Sequence, residues 1–268
     1  MGPQALRFLA SAAIAAGALW GQQASDQLAF YNVAICTKVV PGKSVDHGQY
    51  VSDLRKLTQA RADAGELVSW SLLRSVIPAG DESRCDYVSL TTYKGMPGPP
   101  TSREDLAAGL SKAGFKISAD EYIARRSAVS RLVSIEMWRP LISVGESRKG
   151  HYLYVNFMKV HKMADYVKFE REVWKPMAEQ WTKEGAQSGW GFSVAMLPAG
   201  TDVKYAALSA DIYPSWEAVF KTRSLSTMFN KVHAGKNYDE LVGQMGKLRD
   251  LARRELLVVE EKVTPAKK

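Results

Sequence analysis

The stretch Trp70–Gly80 returns 120 residues later as Trp190–Gly200. Each copy starts with a tryptophan and ends in Pro-Ala-Gly, at 78–80 and at 198–200, and Gly65 upstream is matched by Gly185 at the same offset. A chain that uses one unit twice is limited to architectures in which two similar halves stack or pack on each other. Two halves packed in that way predict pseudo-symmetry and a shared central space.

Each half reads as strand, helix, strand, strand, helices, strand. Asn32–Val40 is rich in β-branched and apolar residues and predicts a strand that Pro41-Gly42 ends. Tyr50, Leu54, Leu57 and Ala64 recur at helical spacing over Ser44–Gly65. Val68–Ile77 and Asp86–Tyr93 follow as strands around the first Pro-Ala-Gly turn, then short helices at Ser102–Lys112 and Ala119–Leu132, then a strand at Val133–Trp138. The second half repeats the order: strand His151–Val160, helix Ala164–Gly185, strands Gly189–Leu197 and Lys204–Ile212, helices Trp216–Phe220, Leu225–Val232 and Tyr238–Arg253, strand Glu255–Val263. Pro176 lies inside the second long helix and should kink or split it. Beyond the Pro-Ala-Gly turn, Tyr87 is matched with Tyr205, Tyr93 with Asp211, and Asp120-Glu121 with Asp239-Glu240.

A βαββαβ unit forms a four-stranded antiparallel sheet with its helices on one face. These strands are apolar on both sides, so the bare sheet faces must cover each other. The expected class is α+β, with two tandem ferredoxin-like units packed sheet to sheet as an intramolecular barrel. The units span 30–139 and 151–263, joined by a linker at 140–150 and followed by a disordered tail at 264–268. The element order and the repeat resemble the dimeric α+β barrel superfamily, which includes antibiotic-biosynthesis and haem-degrading monooxygenases, muconolactone isomerases and chlorite dismutases. The strand and Tyr/Trp/Pro-containing helix ending in Gly, over Val39–Tyr50 and Tyr166–Glu184, are most similar to its NIPSNAP-like group. That resemblance implies a fold and leaves the chemistry open.

The first 25 residues are set apart from the fold. One arginine precedes the apolar run Phe8–Trp20, and small polar residues follow, in the order of a secretory signal peptide cleaved near Ala24. The run is short for a membrane span. A periplasmic or secreted protein is expected, without stable membrane insertion after cleavage. The remaining chain has 35 basic and 28 acidic residues, a charge of +7. The charges are spread rather than clustered with aromatics, so a solvated basic surface is expected and a nucleic-acid partner is not. Cys36 and Cys85, both near strands, could pair in an oxidising compartment, but their register is open at this level.

Alternation along the strands selects candidate interior rows. Trp70, Leu72 and Arg74 match Trp190, Phe192 and Val194. Tyr87 and Tyr93 share a face, as do Tyr205 and Asp211. Ser134, Glu136 and Trp138 form another row, and Tyr152, Tyr154 and Asn156 a fourth. If these rows face inward, they line an aromatic cavity with scattered polar groups, the usual make-up of a small-molecule site. The expected ligand-binding set is Trp70, Tyr87, Tyr93, Tyr154, Asn156, Trp190 and Tyr205, and the expected catalytic set is Arg74, Glu136 and Asp211. Buried charges must be paired, and Arg74 could pair with Glu136. The alternative is that the polar rows satisfy one another or meet solvent at strand ends.

No His/Cys spacing for a metal, no nucleophile elbow and no phosphate-binding glycine pattern is present, and no cofactor is expected. His233, in a predicted helix end, suits the helix dipole without any role as a haem ligand. Three functions remain. The first is an exported protein holding a small apolar or aromatic molecule in its barrel. The second is a cofactor-independent monooxygenase or isomerase, with Arg74 orienting an oxygen and Glu136 or Asp211 moving a proton. The third is an interaction protein with a fully packed barrel. A fused pair needs no partner to close a barrel, so a monomer is expected.

Overall fold

The computed structural model describes residues 29–98, 101–200, 202–221 and 224–266. The expected signal peptide lies outside these residues. The first half contains β1 (Phe30–Val39), α1 (Ser44–Asp63), β2 (Ser69–Ile77), β3 (Tyr87–Lys94), α2 (Arg103–Lys112), α3 (Ala119–Val129) and β4 (Ser130–Gly145). The second contains β5 (Tyr152–Val160), α4 (Met163–Phe169), a π turn (Glu170–Trp174), α5 (Lys175–Lys183), β6 (Gly189–Leu197), β7 (Ala207–Tyr213), α6 (Trp216–Phe220), α7 (Leu225–Val232), α8 (Tyr238–Leu248) and β8 (Arg249–Val263). Among the described residues, no helix is long and apolar enough to cross a membrane.

The strands close into one eight-stranded barrel in the order β1-β3-β2-β8-β5-β7-β6-β4. Each half supplies a four-stranded sheet, and the long last strand of each half closes the ring. β4 pairs with its own β1 and with β6 of the other half, and β8 pairs with β5 and with β2. Bulges interrupt both closing seams, between Met137 and Trp138 and between Leu72 and Leu73 among others, where extra residues let strands bend from one sheet into the next. Every pairing is antiparallel. The β2–β3 and β6–β7 turns therefore leave at the same end of the barrel, and both open with a cis X–Pro bond.

The elements depart from expectation where tertiary pairing overrides local pattern. The expected linker at 140–150 is strand as far as Gly145, because Pro140, Ile142 and Val144 pair with β6. The expected helix to Arg253 stops at Leu248, and Arg249–Arg254 join β8 by pairing with β5. The backbone around Pro176 stays helical without a break. The helix widens into the π turn just before α5, which has the proline in its first turn, where no N–H is required. Residues 264–266, expected as part of a disordered tail, are tied to α1. Gln59 donates to the Thr264 carbonyl at 3.0 Å, and the Ala266 N–H donates to Asp63 at 2.9 Å.

The barrel interior is filled. Ala34, Cys36, Leu73, Val88, Trp138, Leu153, Val155, Phe157, Leu257 and Val259 form one buried cluster. Of the expected interior rows, Ser134-Glu136-Trp138 faces inward. Tyr205 also packs against the interior cluster, whereas the rest of the expected rows face the opposite way. Trp70 and Leu72 pack beneath α1 with Leu54 and Ala62, and Tyr87 and Tyr93 pack beside them. Trp190 and Phe192 pack beneath α4 and α5 with Tyr166 and Met177. Tyr154 joins Tyr213 and Val219 under α6. Most of the large aromatics lie in the gap between sheet and helices, while the barrel holds mainly aliphatics together with Trp138, Phe157 and Tyr205.

Cross-strand pairing also corrects the repeat. Trp70 pairs with Thr91 and Trp190 with Asp211. The 120-residue offset therefore runs on through the third strand, so that Thr91 corresponds to Asp211, Tyr87 to Ala207, Tyr93 to Tyr213 and Cys85 to Tyr205. The same reasoning through β1 and β5 places Cys36 on Phe157. Cys36 and Cys85 form a disulfide with Cα atoms 5.4 Å apart. At the corresponding positions of the second half, Phe157 and Tyr205 are in ring contact at 4.7 Å.

Candidate functional site

At the turn end the barrel opens into a pocket of about 510 Å³. Its wall is the β6–β7 turn, including Leu197, Pro198, Gly200, Val203 and Lys204. Its floor is Glu136 and Trp138 of β4 with Tyr205. The Tyr205 ring lies nearly parallel to that of Trp138, 6.0 Å between centroids.

Glu136 is the buried hub of this floor. Its Oε1 accepts from Arg84 Nη1 at 2.6 Å, Tyr205 Oη at 3.1 Å and Ser134 Oγ at 3.3 Å, and its Oε2 accepts from Trp138 Nε1 at 3.2 Å. Arg84 is the carboxylate's ionic partner, in place of the expected Arg74. It also lies over the Phe157 ring at 5.3 Å and approaches Glu255 at 3.9 Å. Strand register makes Glu255 the repeat equivalent of Glu136: Ala34 faces Glu136, and Val155 faces Glu255. Arg253 Nε stands 2.5 Å from Glu255 Oε1, off the hydrogen-bonding direction, so neither atom has a hydrogen-bond partner. Two carboxylates and two guanidinium groups thus balance at the mouth. Burial, with the nearby carboxylates, pushes the Tyr205 hydroxyl up to about 12, partly countered by Arg84.

The two turns at this end are held differently. In the first half, Lys38 donates to the Gly80 carbonyl at 2.7 Å, Arg253 donates to that of Glu82 at 3.2 Å, and the disulfide anchors the chain beyond. The pocket lies under the second-half turn.

Arg74 and Asp211 lie away from the mouth. Arg74 forms a half-exposed ion pair with Glu260 at 3.4 Å. Asp211, Asn156 and Trp190 instead meet on the outer face of the second sheet. Asn156 donates to Asp211 at 3.3 Å and accepts from Arg254 at 2.5 Å, and Arg254 lies over the Tyr154 ring at 5.6 Å. Beneath the helices this row continues to Tyr166, Glu170 and Arg249. Burial raises the Glu170 carboxyl to about 8, and Asp211 adds to the rise against the opposing effects of Tyr166 and Arg249. The sequence reading missed Arg84, Glu170 and Arg249. Arg84 sits in a turn, where alternation assigns no face. The chain position of Glu170, one turn beyond Tyr166, was the available signal. His233 Nε2 donates to the Val173 carbonyl at 3.0 Å. The described residues contain no group of three or more His, Cys, Asp and Glu side chains placed to hold a metal.

No protein-family model and no curated protein matches the sequence. Solved structures do match in shape. A provisionally assigned monooxygenase from Lactobacillus acidophilus aligns over 88% of this chain and 95% of its own, with a TM-score of 0.52 and 13% identity. A second such protein, from Fusobacterium nucleatum, gives 0.52 at 10% identity over 88% and 94%. An anthrone oxidase-like protein gives 0.51 at 11% identity over 90% and 95%. The fold is that of the dimeric α+β barrels. In this α+β barrel the two halves that close the ring lie on a single chain, and the likeness at these identities is one of fold.

Proposed function

We propose that this α+β barrel is an exported binding protein that takes a small apolar or aromatic molecule at the mouth of the barrel. The observation that carries the reading is the pocket under the second-half turn, whose wall is largely apolar apart from Asp202 and Lys204 and whose floor carries the Trp138 and Tyr205 rings. The polar groups of the floor are already engaged. Glu136 accepts four hydrogen bonds, close to the capacity of a carboxylate, so it suits the role of anchoring the floor better than that of taking a proton. With the charges at the floor paired, the ligand is held by ring stacking and apolar contact. A disulfide between the chain's only two cysteines suits export to an oxidising compartment.

The test is native mass spectrometry of the protein purified from its own host, followed by titration of the released ligand. A bound small molecule whose affinity falls at least tenfold in Trp138→Ala supports the reading. An empty protein, or a ligand indifferent to that change, overturns it.

One observation favours a second reading, a cofactor-independent monooxygenase or isomerase. The outer face of the second sheet carries Asn156, Asp211 and Arg254, where the first half has Ile35, Thr91 and Ile135. Here Asp211 would be the proton-moving group. Turnover abolished by Asp211→Asn but unaffected by Trp138→Ala would favour this face over the mouth.

A further inference from the structure

The interface between the second sheet and its helices is mostly apolar, and one of its polar places stands out. Tyr166 on α4, Glu170 in the π turn and Arg249 at the start of β8 come together there, and Trp190 on β6 lies in the same buried cluster as Tyr166. Tyr166 is fully buried, and Glu170 and Trp190 are within 2% of it. Tyr166 lies within hydrogen-bonding reach of Glu170 and Arg249, yet Tyr166 Oη, Glu170 Oε2, Trp190 Nε1 and Arg249 Nε make no hydrogen bond of good geometry. An unpartnered buried polar atom costs roughly 1–3 kcal/mol, so several in one place call for a reason.

The first half shows that the fold does not require them. Counting from the helix starts at Ser44 and Met163 places Glu170 on Val51. The strand pairs Val39–Ser130 and Val160–Arg249 place Arg249 on Ser130. Trp190 corresponds to Trp70, whose indole is satisfied by Ser89 at 2.7 Å. In the second half the matching Ser209 accepts from Asn156 instead. One half therefore has valine, serine and a satisfied tryptophan where the other has a buried acid, an arginine and an unsatisfied tryptophan. The π turn, an insertion often found at functional positions, begins at this acid.

We infer that the second half carries a buried proton-binding site centred on Glu170, which holds α4 and α5 on the sheet when occupied and loosens them when the proton leaves. Protonation removes a charge that has no room for solvent and gives the carboxyl an O–H to donate. Loss of the proton leaves a carboxylate beside Asp211 with a single cation, Arg249, close by. Other groups packed around the site do not change this balance. The Tyr166 hydroxyl is raised by burial and stays neutral. His233 donates to Val173 in the same turn. Arg254 is engaged by Asn156. Lys168, Arg171 and Glu172 on the same helical stretch, and Lys247 on α8, are exposed.

The experiment is infrared difference spectroscopy of the whole protein between pH 6 and pH 10, with hydrogen exchange of the 163–183 segment over the same range. The expected result is a protonated-carboxyl band at pH 6 that disappears near pH 8 and is absent from Glu170→Gln. Exchange in 163–183 should quicken across the same transition in the native protein and stay flat in Glu170→Gln and in Glu170→Val. No such band in the native protein overturns the inference, as does exchange that rises equally in the variants. If a variant fails to fold, the native band and its pH midpoint decide alone.

Discussion

Glu136 and Arg74 show how a residue's surroundings set its worth. Glu136 is buried among four donors, while Arg74 shares a half-exposed ion pair with Glu260. Glu136→Ala leaves Arg84 without its close carboxylate and should cost about 3–5 kcal/mol, the range for breaking a buried pair. Arg74→Ala should cost less than about 1 kcal/mol, because an exposed pair is screened by solvent. Urea unfolding of the two variants measures both, and equal losses would refute the contrast. Glu170 adds a dependence on pH. Its folded-state value, about 8, lies above the ordinary carboxyl value of 4.5, so the folded state holds the proton more tightly. Its stabilisation is complete below about pH 4.5 and is lost as pH rises towards 8, by up to about tenfold in the folding equilibrium per pH unit. Glu170→Gln should flatten that part of the profile in urea unfolding followed from pH 5 to 9. An unchanged slope in the variant would assign the dependence to other groups.

At the level of elements, the first and third strands of each half are joined inside the barrel by different means. The first half uses the Cys36–Cys85 bridge, and the second uses the contact between Phe157 and Tyr205. A bridge across 49 residues should contribute about 4 kcal/mol on the chain-entropy account. The double variant Cys36→Ser/Cys85→Ser should lose about that much in denaturant unfolding and should become insensitive to reductant, whereas the native protein is sensitive. A native unfolding midpoint that does not move with reductant would argue against it. Element order was legible because hydrophobic spacing and Pro-Gly punctuation are local signals. The ends of β4 and β8 were not, because Pro140–Gly145 are strand by pairing with β6 of the other half and Arg249–Arg254 by pairing with the distant β5 of their own.

At the level of the molecule, everything depends on ring closure. At the β4–β6 seam Gly145 faces Gly189, and a Cβ on Gly189 would stand 2.4 Å from the Val144 carbonyl oxygen. Gly189→Ala should therefore force the seam apart, cost more than about 3 kcal/mol and expose the neighbouring Trp190 to an aqueous quencher. Gly191→Ala, whose nearest neighbour is 3.9 Å away, should change stability by less than about 1 kcal/mol. Equal effects in thermal unfolding would mean that the seam tolerates more backbone movement than its geometry allows.

The repeated Trp and Pro-Ala-Gly segments were enough to establish duplication, the α+β class and the order of elements, because these rest on periodicity and turn chemistry within short windows. They did not establish which face of each strand looks inward. Strand alternation has a period of two and cannot tell one side from the other when both are apolar, so Trp70, Tyr87, Tyr93 and Trp190 were placed in the barrel although they lie under the helices. Only the packed structure decided that question, because most of the large aromatics fit the sheet–helix gap, while the barrel takes mainly aliphatics around Trp138, Phe157 and Tyr205. It also decided which charges meet. Arg84 reaches Glu136 from a turn 52 residues away, and Glu170 comes up beneath Asp211 from a helix. Partnerships of that kind depend on how the two halves wrap around each other, which no short window of sequence contains.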